Sequence, residues 1–224
     1  NYSGWIFIDK PEGKTSFDVI RKIKKTLQIK KIGHSGTLDP IASGILGIGI
    51  GEATKSIPYF SKSKEYKFEI TFGESKDTDD ISGKTTETSK TIPTVKQISN
   101  CLNEFVGNIS QVPPIYSAVK VNGVRAYRLA RNNIDFKLKE KKIKIYSLIC
   151  TGQVNHSTFS FIAECSSGTY IRSLARDIAK KMNTLGYISY LRRTKLGKIS
   201  EKDVILVDKF NELVHIGDHF ELMH

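Results

Sequence analysis

The segment YKFEITFG, Tyr66 to Gly73, alternates without a break: Tyr66, Phe68, Ile70 and Phe72 fall on one face, Lys67, Glu69 and Thr71 on the other. Successive side chains of a strand point to opposite faces, so the pattern specifies a half-buried β-strand. Upstream, GWIFIDK (Gly4 to Lys10) reads as a short strand ending at the turn KPEGKTS. Thr15 and Asp18 have capping-box spacing, and Phe17, Ile20, Ile23 and Leu27 follow at helical intervals, which predicts a helix from about Ser16 to Gln28. GILGIGIG, Gly44 to Gly51, is apolar and glycine-rich, the mark of a buried strand that something approaches closely. Downstream, DTDDISGKTTETSKTIP is polar turn material, and Thr94 caps a helix carrying Val95, Ile98, Leu102 and Phe105 that stops at Gly107. KKIKIYSLICTG and STFSFIAEC read as two more strands, and SSGTYIRSLARDIAKKM turns into a helix with Ile171, Leu174 and Ile178 inward. Strands and helices interleave with hairpin-like neighbours. The expected class is α+β, a mixed, mostly antiparallel central sheet flanked by helices and loops.

The stretch NISQVPPIYSAVKVNGVRAYRLAR, with adjacent prolines and an Asn122-Gly123 turn, reads as an excursion from the core at about 107–135. No repeat or low-complexity linker divides the chain, so a single domain over 1–224 is expected. A hydrophobic content of 39% with 26% charged residues describes a globular protein. No apolar run approaches the roughly 20 residues that cross a bilayer, and NYSGWIFIDKPEG is too short and acidic for a secretory signal. Three widely spaced cysteines, Cys101, Cys150 and Cys165, suit a reducing cytoplasm, argue against both a disulfide framework and a CxxC zinc site, and are expected as small buried hydrophobes.

Charge points to a partner. The 35 basic residues exceed the 23 acidic ones by 12, an excess that suits a polyanion. RKIKKTLQIKK (Arg21 to Lys31) carries six basic residues and KLKEKKIK (Lys137 to Lys144) five. Either alone is explained by a solvated face; with YLRRTK near the C-terminus they favour a phosphate backbone.

GHSGTLDP, Gly33 to Pro40, sets a lone carboxylate, Asp39, among glycines and hydroxyls five residues after His34. Such an aspartate can cap a helix, bind a metal or do chemistry. GIGEATKS nearly spells a phosphate-binding loop, but Thr54 stands where a glycine must let backbone N–H groups wrap the phosphate. DTDDISG suggests a calcium loop, yet Ile81 occupies a ligand position and the glycine comes one place late. HIGDH spaces His215 and His219 one helical turn apart but lacks a metalloprotease glutamate, and reads as a frayed tail. A glycosidase needs two carboxylates, and this motif offers one.

Taken with DKPEGKTS at Asp9 to Ser16, the run GHSGTLDPIASGILGIGIGEATK closely resembles the TruB-type tRNA pseudouridine synthases. KEYKFEITFGESKDTDDISG, PPIYSAVKVNGVRAYRLAR, CSSGTYIRSLARDIA and YLRRTKLGKI match in the same order, so the likeness covers roughly Gly4 to Ile199. It implies an isomerase that breaks the bond between ribose and uracil N1, turns the base and rejoins it through C5, with no cofactor and no metal. The implied catalyst is Asp39, which either attacks the sugar C1′ or takes a proton from C2′. Both roles need the carboxylate ionised, and the resemblance places Arg172 beside it. A flipped uridine costs a few kcal/mol, of which stacking on an aromatic face returns about 1–3 kcal/mol. The resemblance nominates Tyr66 for that platform, although its parity also suits the core. It sets Tyr170 beside the base, packs Leu191 against it, and gives His34 a part in RNA contact and flipping. Lys10 and Pro11 support the active-site loop.

The 107–135 excursion corresponds to the family's RNA-gripping insertion, with Tyr116, Lys120, Arg125, Tyr127, Arg128 and Arg131 suited to phosphates and loop bases. After KISEKDVI about twenty residues remain, too few for the C-terminal PUA domain of many relatives. The implied function is pseudouridine formation at uridine-55 in the tRNA T-arm, by a stand-alone cytoplasmic monomer without an obligatory protein partner. The alternatives are a guide-RNA-dependent synthase subunit and a non-catalytic RNA-binding or tRNA-chaperone module.

Overall fold

The computed structural model describes residues 2–60, 63–207 and 209. The chain divides into two compact units, Asn1–Tyr66 with Leu191–His224, and Lys67–Tyr190. His215 and His219 lie outside the described residues.

In the first unit, β1 (Gly4–Lys10) leads through the KPEGKTS turn into α1 (Ser16–Leu27). The expected capping box is formed, with the Thr15 side chain accepting from the Asp18 N–H and the Asp18 carboxylate accepting from the Thr15 N–H. Val19, Ile20 and Ile23 of α1 pack with Ile6, Ile8, Leu46, Ile48 and Ile50 in one apolar cluster, while Phe17 stays outside at 66% exposure. The strands β2 (Ile32–His34) and β3 (Ala42–Ile50) are antiparallel, and β3 also pairs antiparallel with β1. The closing segment contributes the end of β12 (Gly186–Leu196), parallel to β3 in register Leu191 to Ala42, then β13 (Ile199–Ser200) and β14 (Ile205–Leu206), the last parallel to β1. The unit's sheet is therefore mixed.

The close approach expected at GILGIGIG has named partners. A Cβ on Gly44, at φ +101°, would lie 2.3 Å from the Arg193 carbonyl oxygen, and one on Gly47 would lie 2.7 Å from the Ser35 hydroxyl. Glycine is required there because β12 and the loop after β2 press directly onto the β3 backbone.

In the second unit, the remainder of β4 (Ser63–Phe72), β11 (Thr158–Ser166), β10 (Lys141–Gln153) and β7 (Gly107–Gln111) lie in that order, with β7 at the edge. The alternation of β4 holds, since Tyr66, Phe68, Ile70 and Phe72 are all buried. Phe68 stacks on Phe161 and Phe72 meets Phe159 edge-on. Two small hairpins, β5 (Glu74–Lys76) with β6 (Thr85–Thr88) and β8 (Lys120–Val121) with β9 (Val124–Arg125), stand off the sheet, the second turning at Asn122-Gly123 into α3 (Ala126–Arg131). The helix α2 (Val95–Leu102), capped by Thr94, packs on β10, and α4 (Ile171–Lys181) buries Ile171, Leu174 and Ile178. Val95 is exposed at 44%, because the inward stripe of so short a helix starts at Ile98.

Two sequence readings change. The excursion placed at about 107–135 begins later, because Gly107–Gln111 is β7, hydrogen-bonded along Lys141–Ile145 of β10. YLRRTK is no phosphate-facing run. Arg193 is fully buried, Arg192 grips Asp9 with two bonds of 3.0 and 2.7 Å, and Lys195 pairs with Glu65 at 2.7 Å. Arg193 shares the inward face of β12 with Leu191, whereas Arg192 and Lys195 are taken up by carboxylates.

Candidate active site

Six of the nominated residues, Lys10, Pro11, His34, Asp39, Tyr66 and Leu191, belong to the first unit; Tyr170 and Arg172 belong to the second. Asp39 sits in the half-buried loop between β2 and β3, and its position follows from what grips its neighbours. The Ser16 hydroxyl, at the first turn of α1, accepts from the Leu38 N–H at 2.9 Å and donates to the Leu38 carbonyl at 3.2 Å. The Gly13 N–H donates to Pro40 O at 2.8 Å, and the Ala42 N–H to Asp39 O at 3.0 Å. Pro40 also restricts Asp39 to extended backbone. The carboxylate-bearing residue is thus clamped from both sides by the turn that precedes α1.

That turn is itself held by Lys10. Its ammonium is buried and donates to Pro11 O at 2.8 Å and Lys14 O at 2.6 Å. Burial pushes Lys10 down to about 8, against the opposing pull of the Asp39 and Glu12 carboxylates.

Sequence reasoning missed two cations beside the loop. Arg193 donates to Ile45 O at 2.6 Å and to Gly36 O at 3.3 Å, and its Nη1 is buried with no hydrogen-bond partner among the described residues. Lys64 is 9% exposed, and a Cβ on Gly36 would come within 3.2 Å of its Nζ. Both were detectable by parity, since Lys64 shares the inward face of β4 with Tyr66, and Arg193 that of β12 with Leu191. His34 is half-buried, with Nδ1 accepting from the Gly36 N–H at 3.3 Å. Burial, then the Arg193 charge, hold its imidazolium form below the ordinary histidine range, so the ring is neutral at pH 7. Tyr66 and Leu191 are 7% and 5% exposed.

In the second unit, Arg172 is 4% exposed, so it is no surface arginine. It donates to Thr78 O at 3.0 Å and Tyr116 O at 3.2 Å, and its Nε lies 3.7 Å from the Asp80 carboxylate. Asp80, in the stretch expected as polar turn material, is 4% exposed and accepts from Thr78 and Ser82 hydroxyls and the Ser82 N–H. It is placed by Ile188 of β12, which bridges to Asp80. Tyr170 caps α4 through its backbone, trading hydrogen bonds of 2.8 and 3.1 Å with the buried Gln111 amide. Among the described residues no cluster of three or more His, Cys, Asp or Glu could hold a metal ion, and no helix is long and apolar enough to cross a membrane.

Residues 24–171 match the model of the TruB family pseudouridylate synthase N-terminal domain. The chain is 42% identical over 217 residues to a tRNA pseudouridine synthase B of Ehrlichia ruminantium, covering 96% of this chain and 73% of that protein. It is 44% identical to the protein of that name from Bradyrhizobium diazoefficiens, covering 94% and 61%. A chain of the solved Cbf5-Nop10-Gar1 complex is similar at 29% identity and a TM-score of 0.71, covering 96% of this chain and 57% of that one.

Proposed function

We propose that this chain, which belongs to the TruB family of pseudouridylate synthases, isomerises uridine to pseudouridine in the T-loop of tRNA, at uridine-55. The observation that carries the reading is the clamped Asp39 loop, in which Ser16, Gly13 and the buried Lys10 fix a single carboxylate between two rigid elements. Catalysis through one group depends on holding it in reacting geometry, and that is what the clamp supplies.

The reaction breaks the C1′–N1 bond and forms a C1′–C5 bond; C5 loses a proton and N1 gains one, so no atoms or electrons enter. Ionised Asp39 acts at C1′ or C2′ of the ribose. Tyr66 takes one face of the flipped uracil and Leu191 lies against it, while neutral His34 contributes to flipping without adding charge. Tyr170 and Arg172 come to this reaction through the resemblance alone. The names of relatives at 42–44% identity support a stand-alone enzyme acting on tRNA over a guide-RNA-dependent subunit of the Cbf5 kind, at 29%. Incubation of the purified protein alone with an unmodified tRNA transcript, followed by mapping of pseudouridine, tests the proposal. Product at uridine-55 alone is expected. No product without a guide RNA and partner proteins would favour the Cbf5-like reading.

A further inference from the structure

The lysine run that ends in β10 has no partner in the site just described. Lys137, Lys139, Lys141, Lys142 and Lys144 are all exposed, and among the described residues none of them makes an ion pair, although Glu140 lies in the same run. Some cations elsewhere are paired, Lys55 with Glu52, Lys181 with Glu104, Lys195 with Glu65 and Arg176 with Asp79; this run stands out by its density. Five uncompensated charges in eight residues mark a surface that expects an anion.

The strand pairing arranges them. Ile143 and Ile145 point into the core, so Lys142 and Lys144 stand on the outer face, two residues or about 6.6 Å apart along the strand. Opposite them on the edge strand β7 stand Ser110 and Asn108, in register with Lys142 and Lys144. These four, with Ser166 at the end of β11, line an open concavity of about 590 Å³. Tyr146 continues the row, 42% exposed, with the Lys144 ammonium 5.4 Å from its ring centroid. Glu164, two residues before Ser166 on β11, is an exposed carboxylate on that face.

We propose that this face of β7 and β10 binds the sugar–phosphate backbone of RNA. Lys142 and Lys144 each meet a phosphate, the hydroxyls and amide of Ser110, Ser166 and Asn108 supply neutral donors, and Tyr146 stacks a base. Paired cations beside an exposed ring are the elements of a single-strand groove, which tracks charge and stacks any base. The inference rests on the reading of the chain as an RNA-modifying enzyme and adds a docking surface made of none of its site residues.

The test compares wild type, Lys142→Ala/Lys144→Ala, Tyr146→Leu and the charge-matched control Lys90→Ala/Lys96→Ala, all changed at exposed positions. Filter binding to poly(U) and to an unmodified tRNA transcript is measured over a range of salt. Each single-strand phosphate contributes about 0.7 to the slope of log affinity against log salt, so the lysine pair should flatten the poly(U) slope by about 1.4. Tyr146→Leu should weaken poly(U) binding at least fivefold with its slope unchanged, and the control should match wild type. Single-turnover pseudouridine formation at saturating protein should keep its wild-type rate in all four. Slopes and affinities of the lysine pair equal to wild type, or a control that falls as far, would overturn the proposal. Binding of neither RNA by wild type would overturn it too. Loss of poly(U) binding in a protein that makes no pseudouridine would remove the enzymatic reading and leave this surface standing.

Discussion

Ser16→Ala removes one oxygen and tests whether the α1 turn holds the reacting loop. Ser16 is 2% exposed, and its hydroxyl is the partner of both backbone groups of Leu38, the residue before Asp39. Alanine leaves the Leu38 N–H without its acceptor in a site water barely reaches, a cost of about 1–3 kcal/mol. In a chain of this length that lowers the melting temperature by roughly 2–12 °C. The larger effect is on chemistry, because a misplacement of about 1 Å at a reacting group costs on the order of 100-fold in rate. Thr15→Ala is the control. It removes the adjacent helix cap, worth about 1 kcal/mol, yet touches nothing in the Asp39 loop. Single-turnover pseudouridine formation at saturating protein should fall 10- to 100-fold in Ser16→Ala, with tRNA affinity within about twofold, and stay near wild type in Thr15→Ala. A wild-type rate in Ser16→Ala, or an equal loss in Thr15→Ala, would refute the clamp.

Arg172→Ala should cost about 3–5 kcal/mol by leaving the buried Asp80 carboxylate without its cation, and Asp80→Asn in the same chain should recover part of it. A double-mutant cycle by urea unfolding checks this, and strict additivity would contradict it. Lys10, held down at about 8 from an ordinary 10.5, carries a burial penalty that is fully present below pH 8. The penalty fades as the unfolded chain retains the proton and the folded one sheds it, so wild type should gain stability relative to Lys10→Met as pH rises from about 8 to 10.5. Thermal unfolding of both proteins across that window should show the gap changing in that sense; a constant gap would sink the assignment.

Much of the framework was legible because local rules act on adjacent residues. The β4 alternation, the Thr15–Asp18 and Thr94 caps and the glycines of β3 each follow from neighbours in sequence. Charge marks a run, but which way each of its residues faces is set by strand pairing and by distant carboxylates. Lys64 and Arg193 carry cations on inward-facing positions, and only the pairing of β12 with β3 shows that Arg193 reaches Gly36 and Ile45. Asp80 looked like turn polarity because its cation lies 92 residues away on α4. The edge strand β7 was invisible for a similar reason, since Gly107–Gln111 alternates weakly and is defined by β10 thirty residues on. The clamp on Asp39 could not be read from either motif alone, because Ser16 and Leu38 belong to different ones.

The central claim is that the Asp39 carboxylate performs the isomerisation. Asp39→Asn keeps the size of the side chain and removes its ionised oxygen, leaving the Leu38, Pro40 and Ala42 backbone bonds of the loop in place. Purified Asp39→Asn is mixed in excess with an unmodified tRNA transcript, and pseudouridine at uridine-55 is followed over time beside the wild type. The account predicts tRNA binding near wild-type strength and no pseudouridine. Product at a substantial fraction of the wild-type rate would contradict it.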